Sequence, residues 1–234
     1  MRVFRFLAVL LVLFTMAVAA QIPVDREPHH RVVYQNADLR VLDLRVATGE
    51  ATLDHRHEFD IVTVSMSAGT RTRVKSAGQP DGEIRAPRPL GDATVAEYAG
   101  KPASHLVETL GDTAYQLFAV ENLRSAGWSG GSPLSALATA VTADTRAFHL
   151  YDVRLVRTSP QTTHTHASPT IAVLIGGIVL SEGSDAQAKA LAPAPVGLKR
   201  LDQPGQWVLV PRGESHTVVR LGTVDARLVE IEVR

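Results

Sequence analysis

From Val32 onward, apolar and polar positions alternate in short runs bounded by turn residues, the period-two signature of strands that bury one face. The runs are Val32 to Tyr34, Leu39 to Val46, Ile61 to Met66, Thr94 to Tyr98, His105 to Thr109 and Ala114 to Val120, separated by turns such as Ala47-Thr48-Gly49-Glu50, Ser67-Ala68-Gly69 and Gly111-Asp112. They resume at Phe148 to Val156, Ile171 to Leu180, Gln206 to Val210, His216 to Leu221 and Ala226 to Val233. Between the two sets, Ser125 to Asp144 carries glycines and serines, then Pro133 and an Ala-rich stretch, which predicts a connector with one short helix. Gln21 to Arg31, rich in proline and charge, predicts an irregular lead-in with His29 and His30 solvated. The expected organisation is an all-β domain over 32–123, a linker over 124–145 and a second all-β domain over 146–234.

The first twenty residues depart from this pattern. Arg2 and Arg5 sit beside an apolar run from Phe6 to Ala20 that ends in small residues, which predicts a signal peptide over 1–20 and a periplasmic or secreted protein. No later stretch reaches the roughly 18 apolar residues of a spanning helix, so no membrane span is expected after cleavage. The chain has no cysteine, which excludes a disulfide framework, thiolate ligands and a cysteine nucleophile. Lys plus Arg and Asp plus Glu both number 24, leaving no excess of positive charge to hold phosphates, and nucleic acid is excluded as a partner. With 45% hydrophobic but only 5% aromatic residues, the core must be built from Val, Leu, Ala and Ile.

The second half repeats the first. Val41 to Val46 matches Leu150 to Leu155, and His55-Arg56-His57 matches His164-Thr165-His166 at the same offset; His105 matches His216, and Leu117 to Glu121 matches Leu228 to Glu232, at an offset two residues larger. Strands recurring in the same order around the same histidines argue for duplication of one β unit. In a strand, residues two apart share a face, so His-x-His presents two imidazoles side by side. Nine histidines placed at random give well under one such pair, whereas two stand here at matching places. His55, His57 and His105 in one repeat, and His164, His166 and His216 in the other, each form a three-nitrogen set suited to iron, zinc, manganese, nickel or copper, with coordination positions left open. His149 is expected as an ordinary strand residue, and Glu58 and Asp60 as outward-facing, with a bulge at Glu58 the one route by which it joins the first site.

The pattern resembles the cupin superfamily of double-stranded β-helix barrels, duplicated as in bicupins. Gly205, Pro211, Gly213 and His216 follow the spacing of the second cupin motif, which fails only at its last place, Arg220; Gly49, His55, His57 and Gly69 follow the first. The glutamate of that first motif would fall at Ile61 or Val62, and at Thr170 or Ile171, so the resemblance implies three-histidine sites and puts oxalate decarboxylase and germin chemistry in doubt. Gly100 to His105 is a degraded second motif, and Thr158 replaces the glycine before the second histidine pair. The resemblance implies two jelly-roll-like barrels and a metal-dependent enzyme, oxygenase-like, acting on a small organic molecule. The alternative is a non-catalytic barrel that binds or senses a small ligand, favoured by the want of an evident general base. A homodimer is the expected assembly if one forms, since barrel faces of this kind often pair.

Overall fold

A computed structural model describes residues 21–76, 79, 81–124, 131–183 and 197–234. The segment read as a signal peptide lies outside them, and among the described residues no helix is long and apolar enough to cross a membrane.

The predicted alternation resolves into two β sandwiches, each of two sheets. In the first half, one sheet runs in the order Ile22–Pro23, His55–His57, Ala103–Thr109, Thr72–Ser76, Glu83–Arg85, and the other His30–Gln35, Leu39–Val46, Tyr115–Asn122, Asp60–Ser65, Ala93–Ala96. In the second half, the corresponding sheets are Gln161–Thr165, Ser215–Arg220, Val179–Gly183, Gly197–Leu201, and Thr139–Asp144, Phe148–Leu155, Ala226–Val233, Thr170–Gly176, Trp207–Val210. The matching strand orders bear out the duplication read from the sequence.

One long strand organises each half. Tyr115–Asn122 pairs antiparallel with Leu39–Val46 on one side and Asp60–Ser65 on the other. Ala226–Val233 sits likewise between Phe148–Leu155 and Thr170–Gly176. Both strands carry apolar residues on both faces because each serves two cores. Leu117 and Ala119 face their own barrel, whereas Phe118 and Val120 join Val62 and Val64 in a buried cluster shared with Phe148, Leu150, Ile171, Val173, Val229 and Ile231 of the other half. Polar contacts bracket this seam. Asn122 Nδ2 donates to the carbonyls of Ala147 and Arg234 at 3.2 and 2.7 Å, and Arg146 reaches Asp60 at 2.8 Å. Removing the 4%-exposed Phe118 ring from the shared cluster should therefore weaken both halves. Phe118→Ala is expected to cost about 3–5 kcal/mol, seen as a lower urea midpoint of one common transition rather than two.

Three expectations are corrected. The Ala-rich part of the expected linker forms no helix among the described residues; Thr139–Asp144 is an edge strand on His149–Val153, its alternating side chains being able to pair where a helix would have had no apolar stripe to bury. The lead-in is ordered: Ile22–Pro23 runs parallel to His55–Arg56, a 3-10 turn follows at Val24–Arg26, and the next strand begins at His30. The run Ile171 to Leu180 is broken at Gly177, which turns with φ +81°, and a Cβ there would lie 2.6 Å from Ala226 Cα.

Candidate metal centres

The first histidine set is assembled by strand pairing. His55 lies opposite His105 in the antiparallel ladder, and alternation brings His57 to the same face while Arg56 points outward. Glu58 also faces out, 55% exposed and 3.0 Å from Arg56, so no bulge brings it inward. The three rings close into a triangle with centroids 4.9 Å (His55–His57), 4.7 Å (His55–His105) and 4.9 Å (His57–His105) apart, and one nitrogen of each lies within 4.8 Å of the others. His55 Nδ1 donates to the Leu53 carbonyl at 2.9 Å, which fixes the tautomer with the Nε2 lone pair free. That Nε2 and His57 Nδ1 are buried without a hydrogen-bond partner. Burial, reinforced by neighbouring imidazoles, pushes His55 down to about 4, His57 to about 2 and His105 to about 3. The triad is neutral at pH 7, with orphaned lone pairs converging, and this is what a divalent ion requires of its ligands.

The N-terminal segment completes this site. Glu27, 1% exposed, accepts from His30 Nδ1 at 2.6 Å, from His29 Nδ1 at 2.9 Å and from the Leu53 N–H at 3.0 Å. Burial alone would raise its pKa, but the bonds from His30, His29 and Leu53 prevail and hold it at about 2. His30 is thus not solvated as expected; it is buried, with its ring centroid 4.5 Å from that of His55. His29 is half-buried in the same cluster. The reason lies in the parallel pairing of Ile22–Pro23 with the His55 strand, a long-range contact that local composition does not announce.

A cavity of about 330 Å³ opens beside the triad, lined by His30, His57 and His105, by apolar walls including Leu44, Ile61, Val74 and Leu117, and by Arg85, Arg88, Tyr98 and Tyr115. Arg88 is clamped, donating to Asp92 Oδ2 at 2.7 Å, to the Thr63 carbonyl at 2.9 Å and to Thr63 Oγ1 at 3.0 Å. A separate cleft of about 240 Å³ lies where the halves meet, between Phe118 and Trp207, and contains no histidine.

The second set differs. His164 faces His216 across the ladder and His166 shares their face, with centroids 4.8 Å (His164–His166), 5.3 Å (His164–His216) and 6.1 Å (His166–His216) apart. A fully buried carboxylate, Glu230, stands among them, 3.0 Å from His164, 3.3 Å from His166 and 3.2 Å from His216. Burial opposes its charge, but the three imidazoles hold it well below the usual carboxylate range. Burial likewise works against a charged His166, yet Glu230 and Glu232 raise it to about 9. Glu232 bonds Tyr151 at 2.7 Å, His149 at 3.2 Å and the Ser168 N–H at 3.0 Å. His149 is therefore a strand residue, as expected, but one committed to a buried ionic network that also touches Asp144 at 3.1 Å.

The structure gathers His55, His57 and His105 into one group able to hold an ion, whereas in the second barrel that group is His164, His166 and Glu230, with His216 beside Glu230; sequence reasoning missed Glu27, His30, Glu230 and Glu232. A signal was present for the last two: they occupy inward positions of an otherwise apolar strand, where a carboxylate is costly without a partner. Asp60, expected outward, is buried; it accepts from the Ala99 N–H at 2.8 Å and from Arg146, so it serves the seam between barrels rather than the metal site.

No protein-family model and no curated protein sequence matches the chain. Solved structures do. AerE from Microcystis aeruginosa superposes with a TM-score of 0.55 at 13% identity, covering 89% of this chain and 98% of that one. A cupin 2 conserved barrel domain protein from Leptotrichia buccalis gives 0.53 at 9% identity, covering 88% of each chain. The oxalate decarboxylase formate complex of Lactobacillus farciminis gives 0.56 at 12% identity, covering 90% of this chain and 85% of that one.

Proposed function

We propose that this chain, a bicupin by fold, is a metal-dependent enzyme whose first barrel binds a divalent ion through His55, His57 and His105 and acts on a small organic acid in the adjoining cavity. The carrying observation is the convergence of three neutral imidazoles, two of them buried with orphaned nitrogens and the third half-buried, on a cavity that also holds arginine. Bound there, such an ion supplies a Lewis acid, with redox capacity for oxygenase-type chemistry if it is iron. The nitrogen set suits iron, zinc, manganese, nickel or copper.

The chain's own groups supply binding and proton handling. Arg85 and Arg88 place positive charge in the cavity wall; the Arg88 fork is taken up by Thr63 and Asp92, so it contributes charge, and Arg85 is the arginine positioned to meet a carboxylate. The apolar walls exclude water and strengthen that attraction. His30, held by Glu27 through Nδ1, lines the cavity and is assigned as the general base. The signal-like N-terminus supports a periplasmic or secreted setting for this activity.

The test uses the full chain stripped of metal and reloaded, followed by elemental analysis and by oxygen consumption or product formation across small carboxylic acids. His57→Ala is expected to lose one ion per chain, and Arg85→Ala to weaken acid binding roughly ten- to a hundredfold with the ion retained. Metal content unchanged in His57→Ala would defeat the assignment. Bound metal and bound acid with no turnover across the panel would instead identify a binding or sensing barrel.

A further inference from the structure

We propose that the cleft of about 240 Å³ where the halves meet is a second ligand site, separate from both histidine clusters, and that it takes a small aromatic carboxylate. The duplication itself exposes this site, because the same place on the other side of the seam is closed.

On the closed side, Arg227 bridges the halves. Its Nε donates to Asp152 at 2.7 Å, and its Nη1 and Nη2 donate to the carbonyls of Leu90 and Gly91, in a turn of the first half, at 3.0 and 3.2 Å. Sheet register identifies the counterparts at the cleft. Gln116 stands opposite Arg45 as Arg227 stands opposite Arg154. The Gly205 N–H donates to the Leu174 carbonyl as the Gly91 N–H donates to that of Ser65, so the turn Pro204-Gly205 repeats Leu90-Gly91. Gln116 has a shorter side chain than Arg227, and among the described residues it bonds neither turn carbonyl. The space that a guanidinium fills on one side is open on the other, lined by Gln116, Pro204 and Gly205.

Other departures from the repeat equip this opening. Trp207, opposite Val173, takes the place of Ala93, opposite Val64. Arg31, opposite Asp43, takes the place of Ala140, opposite Asp152. Arg31 Nη2 and Arg45 Nε meet the same Asp43 Oδ2 at 2.8 and 3.1 Å, so two guanidinium groups stand side by side on one carboxylate. They are the charged groups of the lining, and their sum is positive. Nε and Nη1 of Arg31 and both Nη of Arg45 have no partner among the described residues. Paired forks with unspent N–H groups receive a carboxylate by charge-assisted hydrogen bonds. Beneath them, Val33, Met66, Phe118 and Trp207 form an apolar floor that receives a ring. A carboxylate without a ring forgoes that floor, and a neutral ring leaves the arginines unanswered.

The experiment titrates benzoate into the full chain labelled with fluorotryptophan and follows the fluorine NMR signal of Trp207, assigned by its loss in Trp207→Phe. A saturable shift is expected, with benzyl alcohol and acetate each at least roughly tenfold weaker. Arg31→Gln and Arg45→Gln, both on exposed side chains, should each weaken benzoate roughly tenfold. Gln116→Arg should abolish the shift by rebuilding at Pro204 and Gly205 the bridge that Arg227 makes on the closed side. Arg85→Ala and removal of metal should leave the titration unchanged, because Arg85 and the histidines belong to other cavities. Absence of a saturable shift, or benzoate affinity unchanged in both Arg31→Gln and Arg45→Gln, overturns the proposal. Benzyl alcohol binding as tightly as benzoate overturns the carboxylate assignment. A Trp207 shift lost in Arg85→Ala overturns the site by placing the acid in the first barrel, and leaves the proposed function standing.

Discussion

Ala119→Glu is expected to abolish the binding of small acids in the first barrel while leaving the second barrel as it is. Ala119 is 3% exposed, lines the cavity and occupies the place in its ladder that Glu230 holds in the other repeat. A glutamate there would project among His55, His57 and His105. It would occupy cavity volume and set a negative charge against an incoming carboxylate. The expected loss of affinity is roughly 100-fold or more, about 3 kcal/mol, read by calorimetric titration with the acids that the wild-type chain binds. The same carboxylate should act as an added ligand and slow release of the first ion to a chelator. Acid affinity equal to that of wild type would show that ligand binds elsewhere.

The metal-free chain is expected to be most stable near pH 6.5 and to lose stability on both sides. His55, His57 and His105 are held at about 4, 2 and 3 in the folded chain, below the ordinary 6.5. As pH falls through 6.5 the unfolded chain takes up protons that the native triad refuses, so stability declines, by about 3 kcal/mol for His55 alone once pH reaches 4. Glu27 and Glu232, both held at about 2 against an ordinary 4.5, add to the loss as pH falls from 4.5 toward 2. On the alkaline side the sign reverses. His166 is raised to about 9, so its contribution is complete below pH 6.5 and disappears as pH rises through 9. Urea midpoints from pH 3 to 10 should trace this peak, and zinc should steepen the acid limb because protons then compete with the ion for the same nitrogens. A flat profile between pH 4 and 6.5 would contradict the burial of a neutral triad.

The barrel fold and the histidine clusters were legible because strand alternation and side-chain spacing follow local rules. Alternation, glycine turns and His-x-His spacing are properties of a few neighbouring residues, and the repeat of His55, His57 and His105 as His164, His166 and His216 marked two sites before any contact was known. Boundaries were less legible. Gly176-Gly177 inside an apolar run and the Ala-rich stretch before Thr145 read differently in isolation than when paired.

The sequence by itself determined a duplicated β architecture, the absence of thiol chemistry and two histidine triads, since side-chain parity within a strand and the count of residue types are fixed without reference to distant partners. Only the tertiary structure decided what surrounds those triads. Glu27 and His30 reach the first site through a two-residue parallel pairing, Glu230 enters the second from the last strand, and Ala119 leaves the first open. Whether an inward carboxylate meets an imidazole, an arginine or empty space depends on the register between strands far apart in sequence, and the chain sets that register only when its barrels close.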